Sequence, residues 1–524
     1  MEQPKNPIEE RSGVRFARLA RLVFWESILA LRSGGVQVAL AVFSLLLLVA
    51  IVLGVVRTQQ RQANARLTEL ENGLVKEHFQ NALEGKSAPA PSDDANSAQH
   101  ERFSRLKKQL RMSAKSPYLV SHSTNLWDAS LLASPLSALS VGASQSWPDR
   151  YRVQGISFAK TVQRNDQVRP VASVYGPFDV AFVIMAIAPL IIIGLTFNVS
   201  SRDRETGLQN ITVSQTRRLG QVMALRCFVR ASLVIGLMVL NVNGVLLIAF
   251  GNQFDFRVVA NLIAWNIVAM LYILFWAALS HFVNSFGKSS ASNGAALLLL
   301  WLLLVMIVPG FISHLVQESV PTLPESQLVE IEKSAFEQAS ENSEELVASF
   351  QSQHPDIEID TEDEQQMALV NYLLAHNAVG EEAADKVTAH YSENLVRARY
   401  LNVCNWVSPA ISFRNQSDQC SGNSEQAFIA FSSNAADVQA RVLKLFLVPS
   451  IANEQCSAET VTGLPSFQES DIPKYFSVTG SLESIASVLV WLFVLTGLGS
   501  RKYRTGVGNT LQNQSPQKSG VESA

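Results

Sequence analysis

The chain has 524 residues, of which 48% are hydrophobic and 17% charged, with a formal net charge of -3 and a mean hydropathy of +0.14. Such a chain is too polar to lie wholly in a bilayer and too rich in long apolar runs to be wholly soluble. Four cysteines without a C-x-x-C pair argue against a disulfide-dense scaffold and a zinc site, and nothing in the charge pattern points to nucleic acid.

Taken in order, residues 1–35 read as a polar tail followed by an interfacial helix. Arg15, Arg18 and Arg21 are interleaved with Phe16, Leu19, Val23 and Trp25, and Ser33-Gly34-Gly35 supplies a bend. Residues 36–56 form a first span, too long for a signal-peptide core and without a small-x-small cleavage site. Residues 57–177 are polar and long enough for a small domain. Within them the first span is expected to continue as a helix to Leu83. A Pro/Ser/Ala-rich linker follows, then a basic helix over Arg102–Met112 whose charges read as a solvated face, and a strand over Tyr151–Val162.

Further spans are expected at 178–199, 231–250, 258–282, 294–312 and 480–498, with Pro309-Gly310 either breaking the fifth near its outer end or simply ending it. Between them lie a charged segment, 200–230, and a second inserted domain, 313–479, in which acidic residues far outnumber basic ones. That domain reads as mainly helical, with a helix over Glu325–Phe350, a capping box of Thr361 and Glu364, and another helix from Glu425 to Phe446. A polar tail, 499–524, follows the last span. The fold class is therefore mainly α and membrane-bound, with six transmembrane helices and two large, mostly helical extracytoplasmic insertions. Arg15, Arg18, Arg21, Arg32, Arg202, Arg204, Arg217, Arg218, Arg226, Arg230, Lys288, Arg501, Lys502 and Arg504 all fall on one side of that arrangement. The positive-inside rule makes that side, with both termini, cytoplasmic.

Chemistry is sparse. Gly287-Lys288-Ser289 has the tail of a phosphate-binding loop but lacks its opening glycine and the preceding strand, so nucleotide binding by this chain is not expected. No protease or hydrolase signature occurs, and the acidic run from Asp356 to Glu364 lacks the central Gly and terminal Glu of a calcium loop. No metal, cofactor or enzymatic activity is therefore expected of the chain. Asn198, Asn241, Asn243 and Asn266 lie within spans; they could line a translocation path, although hydrogen bonding between helices is the commoner role. Cys420 and Cys456 sit in polar surroundings and bracket a helix, so they are a possible disulfide; Cys404, beside Trp406, reads as a buried thiol.

The run Y-G-P-F-D-V-A-F from Tyr175, the following apolar span with Pro189, and then S-R-D-R-E-T-G-L over Ser201–Leu208 resemble the permease subunits of ABC-2 type transporters. The resemblance is strongest to the subgroup with large extracytoplasmic insertions, found in nitrous-oxide-reductase maturation and gliding-motility systems. Pro135-Leu-Ser-Ala-Leu-Ser-Val-Gly, with Trp147-Pro148 after it, is similar to a recurring P-x-x-x-L-S-x-G motif of that subgroup. The resemblance implies a bacterial inner-membrane protein that docks a separate ABC ATPase, the holder of ATP and Mg, through a coupling helix. Arg202, Asp203, Arg204, Glu205, Gly207, Arg217 and Arg218 are the coupling residues by this match, while Leu208 and Thr216 depart from the usual Thr and Pro. It further implies pairing with a second copy or a sibling permease, and export or translocation of a substrate that no residue pattern names. Two other readings fit the topology: a non-transporting subunit that passes ATPase motion to a periplasmic partner, and a membrane sensor or scaffold without an ATPase.

Overall fold

The structure, a computed structural model of the chain, describes residues 21, 23–84, 86, 108, 115–123, 127–153, 178–215, 219–320, 325–359, 362–457, 460, 463 and 478–513. Six helices in it are long and apolar enough to cross a membrane: α1 (Gly34–Leu83), α3 (Val180–Glu205), α5 (Leu219–Phe250), α6 (Phe256–Asn284), α7 (Ser290–Ser319) and the Leu482–Tyr503 part of α13 (Val478–Asn513). The protein is a mainly α, multi-pass membrane protein. At 1.5 Å per residue α1 is about 75 Å long, more than twice what a hydrocarbon core requires, so its half beyond Arg57 leaves the apolar layer as an unbroken helix. Every one of these helices runs past its expected span at one end or both. α5 starts at Leu219, not Ala231, so that Arg226 and Arg230 sit on the helix itself.

α6 lies at the centre of the bundle. Its Trp265, Tyr272, Phe275 and Trp276 are almost wholly buried in a core shared with Phe43 and Leu47 of α1, Ile184 and Ile192 of α3, Met238 of α5 and Val488 of α13. Lipid tails are as apolar as these side chains, so close packing and hydrogen bonds, rather than escape from water, select the arrangement. Gly54 shows how close it is: a Cβ there would stand 2.1 Å from the Ala138 carbonyl oxygen. That contact seats the 135–142 turn directly on α1.

The two inserted segments fold together rather than as separate domains. The helix α2 (Pro117–Ser123) and a two-stranded antiparallel ladder, β1 (Trp127–Ser130) with β2 (Arg150–Val153), come from the first. The second supplies α8 (Glu325–Glu341), α9 (Ser343–Gln353), α10 (Glu364–Val403), α11 (Pro409–Ser421) and α12 (Glu425–Ile451). α12 is the spine. Phe428 and Ile429 pack on Trp147, Phe431 and Ala435 on Ala129 and Tyr151, and Val438, Val442 and Phe446 on Phe79 of α1 and Val120 of α2. Its far end joins a fourth cluster with Val347, Phe350, Val370 and Leu373. Burying each such side chain contributes about 1.5–3 kcal/mol where water is the alternative.

Several local expectations change. The helix predicted over Glu325–Phe350 is interrupted at Asn342. Asp363 caps α10, its Oδ1 accepting from Gln365 N at 2.9 Å and Gln366 N at 3.3 Å; Thr361, the expected cap, is outside the described residues. Of the strand predicted over Tyr151–Val162 only Tyr151–Val153 is described, as part of β2, and the basic stretch 102–112 is outside the described residues except for Lys108.

Candidate functional site

α3 joins the two ends of the bundle. Each of its ends is held by one arginine between two carboxylates. At the Asp203 end the helix stops because Gly207 takes a left-handed φ of 74°, which glycine adopts at no steric cost, and a second short helix, α4 (Leu208–Gln215), follows. Arg226 of α5 bridges Asp203 Oδ2 at 2.6 Å and Glu26 Oε1 at 2.8 Å, all three side chains about one-fifth exposed. Glu205 accepts from Ser290 N at 2.9 Å and Ser290 Oγ at 3.0 Å, a carboxylate at the positive start of α7. Arg204 donates to the Lys288 carbonyl, Ser201 and Ser290 hydroxyls meet at 2.8 Å, and Arg230 donates to the Leu195 carbonyl.

Asp203, Arg204 and Glu205 thus hold the segment to α5 and to the α6–α7 turn. Arg202 and Gly207 are exposed, as are Leu208 at 51% and Ile211 at 55%. Arg217 and Arg218 lie outside the described residues. Gly287-Lys288-Ser289 forms the start of α7, with Ser289 Oγ accepting from Ser292 N.

The middle of α3 is irregular for a stated reason. A π turn over Val183–Ile187 precedes Pro189, which has no N–H to offer the Met185 carbonyl four residues back. Tyr272 Oη donates to that carbonyl at 2.7 Å, and Trp301 Nε1 of α7 donates to the next, Ala186, at 3.0 Å. α7 does something similar: a π turn over Leu302–Ile307 precedes Pro309, Val308 N there reaches Leu303 five residues back, and the next carbonyl in that register, Leu304, which Pro309 cannot serve, accepts from Ser408 Oγ at 3.1 Å. Hence the break or end expected at Pro309-Gly310 does not occur, because the bulge and Ser408 absorb the proline and the helix runs on to Ser319.

Of the span asparagines, Asn243 and Asn266 exchange hydrogen bonds at 3.2 and 3.1 Å between α5 and α6, and Asn241 donates to Ser44 Oγ of α1 at 2.9 Å. Three of the four therefore tie helices together. Asn198 is half-buried near the Asp203 end, away from them in the chain, and its carbonyl accepts from Arg202 N.

At the Asp179 end the joint is more elaborate. Asp179 Oδ1 caps α3 by accepting from Phe182 N at 2.7 Å, and Oδ2 accepts from Val141 N at 2.9 Å. Ala181 N bonds the Leu139 carbonyl at 3.0 Å. Arg414 of α11 lies 3.5 Å from Asp179 Oδ1 and 3.3 Å from Asp418 Oδ2, while Asp418 Oδ1 accepts from the Ser140 hydroxyl. Asn423 donates to the Ser140 carbonyl at 2.6 Å. Asp179 is only 1% exposed. Burial works to lower the Arg414 pKa, yet Asp418 and Asp179 outweigh it and hold the guanidinium above its ordinary value. Burial pushes the Asp418 carboxyl up, against the pull of Arg414 and Ser140. α11 itself enters the bundle core: Phe413 stacks on Tyr272 at 5.1 Å and Ser417 Oγ accepts from Trp265 Nε1 at 2.8 Å.

Sequence reasoning placed Asp179 at a span end but missed Arg414, Asp418, Ser140 and Asn423 as its surroundings. The i,i+4 spacing of Arg414 and Asp418 was the visible signal. The possible Cys420–Cys456 disulfide is corrected: all four cysteines are free. Cys420 faces the bundle core and accepts from Gln416 Nε2 at 3.1 Å, whereas Cys456 packs with Phe79 in a separate cluster. Burial pushes both thiols up to about 11. Cys404, expected to be buried, is half-buried beside Ile312 and Ile411.

Residues 325–469, which carry Arg414 and Asp418, match a family described as a domain of unknown function (DUF3526). No match was found among curated proteins or among solved structures.

Proposed function

We propose that the chain is the permease subunit of an ABC-2 type transporter in a bacterial inner membrane, with both termini cytoplasmic. It receives energy from a separate ABC ATPase, which holds ATP and Mg, and it pairs with a second copy or a sibling permease. The observation that carries this reading is the build of residues 201–215. Asp203, Arg204 and Glu205 bond the segment to two other membrane helices, while its apex, Gly207, Leu208 and Ile211, stands exposed. A protein contact on that apex would push a part already linked to α3, α5 and α7 together, which is what energy transfer by contact requires.

A second reading, a subunit that passes ATPase motion to a periplasmic partner without moving cargo, is favoured by the Asp179 joint. α3 connects the coupling segment directly to Arg414 of the inserted region. ATP-dependent movement of substrate in proteoliposomes separates the two.

The shared premise is tested by purifying the full chain with the ATPase encoded beside it. Replacing Leu208 and Ile211 by Asp, which touches none of the anchoring bonds, is expected to weaken ATPase retention at least about tenfold, as for loss of an apolar anchor at an interface. Retention unchanged by both substitutions, or a chain that purifies stably without any ATPase under gentle conditions, overturns the reading.

A further inference from the structure

A cavity of about 650 Å³ opens near the Asp179 end between four parts of the chain. Arg61 and Gln62 of α1 form one wall and the 131–137 loop a second. The turn after α5 with the first turns of α6 forms a third, and the α11–α12 junction at 419–424 closes it. Much of its polar lining is already engaged. Arg61 Nε pairs with Asp149 at 3.2 Å and its Nη1 donates to Asn423 Oδ1 at 3.0 Å; Gln62 Nε2 bonds the Ala133 carbonyl and Gln253; Asp255 caps α6.

Three lining residues nevertheless keep a buried atom without a partner: Arg61 Nη2, Asn261 Oδ1 and Gln419 Oε1. Leaving one such group unmet costs about 1–3 kcal/mol, so three around a single cavity mark a place where something else supplies the partners. They ask for complementary chemistry. The guanidinium needs an acceptor, best an anionic one, and the two amide oxygens need O–H or N–H donors.

The surroundings say that the occupant is amphiphilic. Arg257 stands exposed in the lining, and beside it Phe256 is 86% exposed, followed along α6 by exposed Val259 and Ile263. This is an apolar strip on a membrane-crossing helix that leads away from the unmet polar atoms of the cavity.

We propose that the cavity binds a phospholipid whose headgroup carries hydrogen-bond donors. Its phosphate meets Arg61 Nη2 with Arg257 nearby, its headgroup donors meet Asn261 and Gln419, and its acyl chains run out over Phe256, Val259 and Ile263. The site is independent of the ATPase reading and is a bound-lipid site, distinct from any claim about cargo.

The test uses the full chain, delipidated in detergent and titrated with dioctanoyl phosphatidylglycerol, with binding read by native mass spectrometry. Gln419→Ala removes an unmet acceptor and is expected to leave the empty protein at least as stable, yet to weaken the lipid about tenfold, the loss of roughly one hydrogen bond. Ala260→Trp, which fills the cavity and spares its polar atoms, is expected to abolish binding. Dioctanoyl phosphatidylcholine, whose headgroup has no donor and so leaves both amide oxygens unmet, is expected to bind the unsubstituted chain more weakly than phosphatidylglycerol binds to Gln419→Ala. Equal affinity for the two lipids, no effect of either substitution, or inorganic phosphate binding as tightly as the lipid overturns the proposal; the last would reveal a simple anion site.

Discussion

The two ends of α3 use the same components differently. Each has one arginine between two carboxylates, Arg226 with Asp203 and Glu26, and Arg414 with Asp179 and Asp418. At the Asp179 end the carboxylates also accept from Phe182 N, Val141 N and the Ser140 hydroxyl, and neighbouring main-chain groups bond across the same joint. Three segments distant in sequence, the start of α3, the 135–142 turn and α11, are fastened to one another there. At the Asp203 end the Arg226 bridge is about one-fifth exposed, and the bonds that Arg204 and Glu205 add to Lys288 and Ser290 lie at the exposed surface, where water can replace them. The contrast separates a weld from a pin. A partner pressing on the 201–215 apex can yield or shift the pin at modest cost, whereas the weld obliges α11 and the 135–142 turn to follow α3.

The sharpest way to break this contrast is Asp179→Ala. It removes a helix cap, leaves Val141 N without its acceptor and deprives Arg414 of one counter-charge, from a side chain that is itself 1% exposed. We expect a loss of about 3–5 kcal/mol, the range for breaking a buried, hydrogen-bonded charge. Thermal unfolding of the purified chain measures it, and a loss below about 1 kcal/mol would show that the joint is not a weld.

Arg226→Ala is the matching change at the other end. Because Arg226 is 24% exposed and its partners nearly as much, solvent screens the exposed carboxylates left behind. The expected loss is about 1–2 kcal/mol, with protease sensitivity increasing around residues 201–215 rather than throughout the chain. A loss equal to that of Asp179→Ala would make the two ends equivalent.

How much of this was legible follows the range of each interaction. The spans and the helical continuation of α1 were legible because hydropathy and helical spacing are local. The charge pattern of 202–205 was legible too, but not that Arg226 and Ser290 would hold Asp203 and Glu205. Pro309 was misread because a proline breaks a helix only if its orphaned carbonyl stays unmet, and Ser408, far along the chain, meets Leu304. Cys420 has polar neighbours in sequence and apolar ones in space, since α11 turns that face into the bundle. Arg414 and Asp179 belong to segments that only the fold brings together. The union of the two inserted segments on α12 was hidden for the same reason.

The smallest expected effect tests the electrostatics of the weld itself. Burial raises the Asp418 pKa above its unfolded value, so the fold favours the protonated carboxyl. The sign follows from linkage: the stability tied to that proton is fully present below the unfolded pKa and is lost as pH rises through the folded one. Asp418→Asn stays neutral throughout. Its stability relative to the native chain is therefore expected to improve as pH rises from about 4, the ordinary carboxylate value, towards 7. Arg414 and Ser140 pull against burial, so the gain is smaller than burial alone would give; each unit of separation between the two pKa values is worth about 1.4 kcal/mol. Any constant offset from replacing an oxygen by an amide nitrogen opposite Arg414 cancels when the two chains are compared across pH. A difference that moves the other way would mean that Arg414, not burial, dominates at Asp418; the joint would then be held chiefly by charge pairing and would loosen with salt.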